Sequence, residues 1–133
     1  MSIFTIELIE VITGKNRFYK LLHGDRCDYD DFCNKCKANP IFKKQLATLQ
    51  TRLMYVAQLK FDHLDETKYR ELKGRKSNDP YKDYEIKTKN LRIYFFKDEG
   101  TGQIIVSGGK KDSQHEDINR MRIIKSNYFK NKK

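Results

Sequence analysis

Cations recur inside an apolar segment of this chain, which is an unusual place for charge. The segment YEIKTKNLRIYFF, residues 84–96, carries Lys87, Lys89 and Arg92 among β-branched and aromatic residues that are typical of β-strands. If Lys89 and Asn90 form a two-residue turn, Lys87 lies directly opposite Arg92 on the partner strand. Like charges in this position repel each other, so the pattern favours a strand pair whose outer face binds an anion.

The same register predicts which side chains share a face of the hairpin. The apolar face, which we expect to pack on a helix, consists of Tyr84, Ile86, Leu91, Ile93 and Phe95. The opposite, outward face consists of Glu85, Lys87, Arg92 and Tyr94. A second interpretation stays open, in which this is an ordinary solvated face and Glu85 neutralises one neighbouring cation.

A second cationic segment follows, IIVSGGKKDSQHED at residues 104–117. Two glycines allow a ligand to approach the backbone, and Lys110 and Lys111 come immediately before a helix N-terminus. This segment lacks the spacing of a P-loop but predicts a seat for phosphate. His115, in the first turn of the expected helix, is a candidate acid or base or an ordinary solvated residue.

Three cysteines, Cys27, Cys33 and Cys36, lie close together in the chain, with His23 nearby. Structural zinc sites usually combine two separated pairs of ligands, and only one C-x-x-C pair is present. Cys33 and Cys36 fit one face of a short helix, where free cysteine packs as a small hydrophobic residue. We therefore expect packing rather than metal binding by these thiols.

The charge balance points to a polyanionic partner. The chain has 133 residues and a formal net charge of +10. Residues 110–133 hold eight Lys or Arg against three Asp or Glu, so 8 − 3 = +5 lies in this segment. Nucleic acid is the leading partner class, with a solvated basic surface or an acidic protein partner as alternatives. No apolar run of membrane-spanning length or signal peptide is recognised, so a cytoplasmic protein without membrane contact is expected.

Periodicity predicts the elements that position these residues. The expected order is one strand, two helices, three or four antiparallel strands and a final helix. The predicted elements are a strand at 3–12, a turn at 13–17, helices at 30–37 and 40–59, strands at 69–72, 84–88, 91–96 and 103–109, and a helix opened by a capping box of Ser113 with Glu116. This order predicts a single α+β domain over residues 1–133, with a sheet of about four antiparallel strands, helices on one face, and a basic C-terminal helix and tail.

Asn39 is the expected cap of the second helix, with Pro40 at its first position. Its apolar stripe consists of Phe42, Leu46, Leu49, Leu53, Val56 and Leu59, and the stripe of the last helix consists of Ile118, Met121, Ile124 or Lys125, and Tyr128.

The segments from about Tyr69 to Phe129 resemble the C-terminal half of the RelE/HigB toxins of type II toxin–antitoxin systems. The elements that carry the resemblance are Glu85, Arg92 within RIYFF, the strand IIVSGG, the pair Lys110-Lys111, and Glu116-Asp117-Ile118. Two features depart from the family pattern. Residues 17–40 form a longer N-terminal part, and Gly108-Gly109 stands where many members carry a bulky aromatic residue.

The resemblance implies metal-free cleavage of mRNA in the ribosomal A site, by attack of a ribose 2′-OH on the adjacent phosphate. This reaction needs a base, an acid and stabilisation of the phosphorane. The expected catalytic residues are Lys87, Arg92, Lys110, Lys111, Glu85 and His115. The expected RNA-binding residues are Lys89, Tyr94, Arg75, Lys76 and Arg120, without a metal or other cofactor.

The family relationship also implies partners and an alternative activity. A cognate antitoxin protein would neutralise the toxin, and the ribosome with its mRNA would be the target. ParE-type members share the fold but poison DNA gyrase without catalysis. A generic basic RNA-binding module is a further alternative, and only an enzyme requires Lys87, Arg92 and Lys110 to converge on one surface.

Overall fold

The computed structural model describes residues 4–58 and 68–131, which contain six strands and three α-helices. The elements in chain order are β1 (Phe4–Leu8), β2 (Phe18–His23), α1 (Asp28–Lys37), α2 (Pro40–Gln58), β3 (Tyr69–Glu71), β4 (Asp83–Lys87), β5 (Leu91–Asp98), β6 (Gly102–Lys110) and α3 (Gln114–Asn131). A 3₁₀ turn at Lys111–Ser113 joins β6 to α3.

The strands form one mixed sheet in the order β1-β2-β6-β5-β4-β3. All neighbouring strands are antiparallel except β2 and β6, which are parallel. The α+β class is confirmed, but the prediction of about four antiparallel strands is wrong. The sequence did not reveal β2, because Phe18 and Leu22 pack on one face of the sheet while Tyr19 and Leu21 pack on the other. A strand buried on both faces lacks the alternation that identifies a half-exposed strand.

Helices cover both faces of the sheet, so the prediction that they lie on one face is also wrong. One core cluster joins α1 and α2 to the sheet side chains Tyr84, Ile86, Ile93 and Phe95. A second cluster lies on the other face, where Met121 and Tyr128 of α3 pack with sheet side chains such as Phe96. The face of the 84–96 hairpin that was expected to point outward is therefore covered by α3.

The main core helix, α2, follows its sequence signals closely. The Asn39 side-chain oxygen accepts hydrogen bonds from the backbone N–H groups of Ile41 (2.9 Å) and Phe42 (3.3 Å). Asn39 thus caps the helix, and Pro40 occupies the first position, where it sacrifices no helical hydrogen bond. The predicted apolar stripe is buried at Leu46, Leu49, Leu53 and Val56. Its predicted last member, Leu59, lies outside the described residues. Ile3, at the start of the first predicted strand, also lies outside them.

The hairpin register predicted for residues 84–96 is confirmed. Lys87 pairs with Arg92, Ile86 with Ile93, and Glu85 with Tyr94. The Thr88 N–H donates to the Leu91 carbonyl at 3.0 Å, which closes the two-residue turn.

The two glycines at the end of β6 serve close packing on both faces of the sheet. A Cβ at Gly108 would overlap the Phe32 ring of α1, and a Cβ at Gly109 would overlap the Asp117 carboxylate of α3. Helices on opposite faces thus approach the backbone where neither residue has a side chain. These contacts explain the glycine pair without a bound phosphate.

We predict that Gly108→Ala lowers the free energy of unfolding by about 1–3 kcal/mol, because the methyl group would displace the Phe32 ring in a packed core. Gly100→Ala is the matched control, since nothing lies within 4 Å of the added Cβ. Urea unfolding followed by circular dichroism measures both variants. Equal stability of the two variants would contradict this account of Gly108.

Candidate functional site

Five lysines surround one end of the sheet, and we call this group the basic rim. The rim consists of Lys68, Lys87, Lys89, Lys110 and Lys111. Strand pairing brings these residues together, because β4, β5 and β6 lie side by side and the register aligns Lys87 with Arg92 and Leu91 with Lys110. Two backbone hydrogen bonds complete the arrangement: the Lys87 N–H donates to the Lys68 carbonyl at 2.7 Å, and the Lys111 N–H donates to the Asn90 carbonyl at 2.8 Å.

The rim cations reach solvent from both faces of the sheet. The Lys110 ammonium lies 5.2 Å from the centre of the Phe42 ring, on the α2 side. Lys87 shares the α3 side with Glu85 and Arg92, because side chains alternate along a strand. Within residues 4–58 and 68–131, no carboxylate lies within 4.0 Å of the ammonium groups of Lys87, Lys89, Lys110 or Lys111. The structure therefore places these four cations at one end of the sheet but not on one face.

The hairpin turn inside the rim is fixed by α2. Gln45 accepts hydrogen bonds through Oε1 from the Thr88 hydroxyl (2.7 Å) and the Asn90 N–H (3.0 Å), and it donates from Nε2 to Asn90 Oδ1 (2.8 Å). Arg52 donates a further hydrogen bond to the Lys87 carbonyl. These contacts restrain the backbone that carries Lys87 and Lys89. Gln45 and Arg52 gave no signal in the sequence, since both are common on helix surfaces.

Arg92 was expected to face outward, and this expectation is wrong. Only 6 % of Arg92 is exposed. Its Nη1 group donates hydrogen bonds to the carbonyls of Thr88 (2.6 Å) and Leu91 (2.9 Å). The guanidinium is therefore bound to the hairpin turn that precedes β5. Its Nε lies 4.0 Å from the Glu85 carboxylate. The guanidinium is thus held by internal partners through Nη1, while its buried Nε has no hydrogen-bond partner among the described residues.

Glu85 is also buried, with no exposed surface. Its carboxylate accepts hydrogen bonds from Arg70 Nε at 3.1 Å and from Gln114 Nε2 at 2.5 Å. A buried carboxylate needs such partners because it has lost its hydration. Gln114 is the first residue of α3, so Glu85 anchors the start of that helix beneath the surface.

Tyr94 was expected to stack on an RNA base, but its side chain is fully buried beneath α3. Burial raises the pKa of its phenol, and the nearby carboxylates of Asp117 and Glu85 raise it further. The phenol oxygen has no hydrogen-bond partner among the described residues. Tyr94 is therefore part of the floor under α3 and not a stacking platform.

The remaining predicted RNA-binding and catalytic residues are scattered. His115 is exposed, and its ring lies 3.4 Å from the Asn119 amide. Lys76 is exposed, whereas Arg75 is directed to its own loop, where it donates to the Asp79 carbonyl at 3.1 Å. Arg120 pairs with Asp28 of α1 at 3.2 Å. Of these residues, only His115 belongs to the first turn of α3, near Lys111.

The start of α3 differs from the predicted capping box of Ser113 with Glu116. The Ser113 hydroxyl instead lies 2.7 Å from Asp117 Oδ2, and the 3₁₀ turn precedes the helix. Asp117 in turn packs over Gly109, which has no side chain to exclude it.

The three cysteines pack in the core, as predicted. All three thiols are free and buried, and they join the cluster between α1 and the sheet. Burial raises the pKa of each thiol. Among the residues that the structure describes, no group of three or more His, Cys, Asp or Glu side chains is arranged to hold a metal ion.

A buried ion cluster that sequence reasoning missed anchors the C-terminal half of α3. Asp83 of β4 accepts from Arg122 Nε (2.9 Å) and Lys125 Nζ (2.8 Å). Lys125 also lies 2.7 Å from the Asp79 carboxylate. Asp83 is fully buried and Lys125 is 1 % exposed, so α3 is tied to the sheet by charges removed from water. The available signal was the position of Lys125 on the apolar stripe of α3, where a lysine needs a buried partner.

The chain matches no protein-family model, and neither curated proteins nor solved structures gave a match. No helix within the described ranges is both long and apolar enough to span a membrane.

We predict that the stabilising effect of Asp79 depends on pH. Burial alone would raise the pKa of Asp79, but the Lys125 hydrogen bond and charge lower it overall from its ordinary value of 3.8. A carboxylate with a lowered folded-state pKa stabilises the protein above the unfolded pKa and loses this effect as pH falls through the folded pKa. Asp79→Asn should therefore be less stable than wild type near pH 6, and the difference should shrink below about pH 4.

Urea unfolding across this pH range measures the effect, with Asp25→Asn, at an exposed carboxylate, as the matched control. A stability difference between Asp79→Asn and wild type that does not change with pH would contradict the proposed coupling to Lys125.

Proposed function

We propose that this protein is a toxin that cleaves mRNA on the ribosome, as the resemblance to RelE/HigB toxins implies. The observation that carries the proposal is the basic rim, where four lysines without a carboxylate partner among the described residues gather at the end of β4, β5 and β6. Cations that are neither paired nor buried attract phosphate groups, and phosphate contacts dominate nucleic-acid affinity.

The backbone of the rim is restrained, which supports binding of a phosphate at a defined position. Gln45 and Arg52 fix the hairpin turn, so the backbone at Lys87 and Lys89 is restrained by hydrogen bonds from α2. Lys111 is held through its backbone bond to Asn90. Binding of a phosphate then costs the entropy of the lysine side chains but not that of the backbone that carries them.

The proposed reaction is metal-free transesterification. The ribose 2′ oxygen forms a bond to the adjacent phosphorus and transfers its proton to a base. The P–O5′ bond breaks, and the 5′ oxygen receives a proton from an acid. The products are a 2′,3′-cyclic phosphate and a 5′-hydroxyl end, so no oxidant, cofactor or metal enters the balance.

The burial of several predicted side chains narrows the proposed roles. Lys87, Lys110 and Lys111 are the cations that can contact phosphate, and His115 is the nearby candidate for proton transfer. Glu85 and Arg92 act as positioning residues, because they hold the start of α3 and the hairpin turn.

One observation favours a second candidate function without catalysis. Lys87 and Lys110 leave the sheet on opposite faces, and Arg92 is buried between them. An enzyme requires its groups to converge on one phosphate, whereas a binding protein does not. A ParE-type gyrase poison or a basic RNA-binding module would use the same rim as a binding surface.

We predict that a triple rim variant abolishes growth inhibition and mRNA cleavage, because the cations that contact phosphate are lost. This variant combines Lys87→Gln, Lys110→Gln and Lys111→Gln. Lys43→Gln with Lys44→Gln on exposed turns of α2 is the control. Primer extension on mRNA bound to purified ribosomes measures cleavage, and end analysis should find a cyclic phosphate. Arg92→Ala is a poor test, since its burial makes loss of folding the expected result.

The result separates the candidate functions. Full cleavage by the triple rim variant would refute the assignment of these lysines. Growth inhibition by wild type without cleaved mRNA, but with inhibited DNA supercoiling, would favour the gyrase poison instead.

An antitoxin partner is part of the proposal, and we expect it to act on the protein in the cytoplasm. A chain of net charge +10 with exposed lysines is suited to an acidic partner, whose charge would complement the rim. We predict that the product of a gene adjacent to the toxin gene restores growth on co-expression and co-purifies with the toxin at low salt. Failure of every adjacent small reading frame to do so would count against the toxin assignment.

A further inference from the structure

A second basic surface lies at the far end of α3 from the rim. The loop before β4 and the C-terminal half of α3 enclose an open cleft of about 1020 Å³, which we call the aromatic cleft. Its lining includes Lys76, Pro80, Tyr81, Ile123, Phe129 and Lys130. Lys76 is among the RNA-binding residues expected from the sequence, and the other five have no role in the function proposed above.

The cleft has an aromatic wall that is held rigidly. The rings of Tyr81 and Phe129 are stacked, with centroids 3.5 Å apart and an angle of 5° between their planes. Phe129 is supported from behind by Phe96 and Tyr128, at centroid distances of 5.4 and 5.1 Å. Tyr81 remains 36 % exposed, and both Tyr81 and Phe129 line the cleft. An exposed aromatic face on a rigid support is a platform on which a base can stack.

The charges around the cleft are unbalanced toward positive. The lining carboxylate, Asp79, is already paired with Lys125, and Arg122 is paired with Asp83. Lys76 and Lys130 are exposed, and no carboxylate of the described residues lies within 4.0 Å of either ammonium group. Two available cations thus flank the aromatic wall at the surface.

We propose that the aromatic cleft binds single-stranded RNA, with a base stacked on Tyr81 and phosphates near Lys76 and Lys130. Aromatic faces beside cations are the recurring means by which proteins hold single-stranded nucleic acid without reading its sequence. An acidic peptide would use the cations but leave the aromatic face without a matching partner. The combination of an aromatic surface with available cations therefore favours RNA over an acidic peptide.

The cleft extends the substrate path of the proposed function, on which this inference rests. The rim adjoins the start of α3 and the cleft adjoins its C-terminal half. This helix of 18 residues is about 27 Å long. RNA that contacts both surfaces has to follow the helix, so the cleft would hold nucleotides several positions away from the rim.

Binding to a non-cleavable probe tests the inference separately from catalysis. The probe is a fluorescent 2′-O-methyl oligonucleotide of about 12 nucleotides, within the usual range of single-strand site sizes. Its blocked 2′ oxygen cannot attack phosphorus. Fluorescence anisotropy over a range of salt concentrations gives the dissociation constant and its salt dependence for wild type and variants.

We expect Tyr81→Ala to weaken binding by about 5- to 100-fold through loss of base stacking, and Tyr81→Phe to bind like wild type. Lys76→Gln with Lys130→Gln should reduce the slope of log affinity against log salt by about 1.4, or 0.7 for each lost phosphate contact on a single strand. The control pair Lys43→Gln and Lys44→Gln should leave the slope unchanged. Circular dichroism verifies that each variant is folded.

The outcomes separate this inference from the proposed function. If wild type binds the probe and the rim variants alone lose binding, the cleft assignment is wrong and the rim assignment stands. If the cleft variants lose binding but no mRNA is cleaved by any form of the protein, the cleft stands and the endonuclease proposal fails. Absence of probe binding by wild type, or equal competition by polyglutamate at matched charge, would overturn the proposal of an RNA site.

Discussion

The ion pair between Asp83 and Lys125 is the constraint on which the arrangement of α3 depends. Both side chains are almost completely removed from water, and each would carry a large desolvation cost without the other. Asp83 begins β4 and Lys125 lies in the C-terminal half of α3, so the pair forms only when the helix crosses this face of the sheet. Arg122, which binds the same carboxylate through two nitrogens, restricts the rotation of the helix as well.

Because α3 covers this face of the sheet, the polar side chains buried beneath it contact protein groups in place of solvent. Glu85, Arg92 and Tyr94 alternate with apolar neighbours as an exposed face would, and on a bare sheet they would be available to a ligand. Beneath α3 they become partners of the hairpin turn and of Gln114 instead. The protein thus uses its buried charges to place one helix, and the surfaces that we propose for nucleic acid lie at the two ends of that helix.

In the proposed complex with RNA, the two ends of α3 would contribute different chemistry. The rim presents lysines on a backbone held by Gln45, and so would provide positive charge near phosphate. The cleft presents a stacked aromatic pair flanked by cations, and so provides a platform for bases. A single strand that contacts both ends would be positioned by stacking at one end and held by charge at the other, which is how binding energy remote from a reacting phosphate can contribute to catalysis.

The sequence by itself determined the elements whose signals are local. Cap chemistry at Asn39 and the apolar stripe established α2, and the strand pattern established the register of Lys87 opposite Arg92. The packing role of the cysteines also followed from helical spacing. Such features depend on residues a few positions apart, so their physical causes can be read directly from the chain.

Only the tertiary structure decided what covers each face of the sheet. Strand β2 was not predicted because side chains on both of its faces pack in the core. The burial of Arg92 depends on α3, which follows it in the chain by some twenty residues. A charged side chain has the same identity in the sequence whether it is solvated or paired inside the protein. The difference lies in the position of its partner, which for Lys125 and Asp83 is set by long-range packing and not by local pattern.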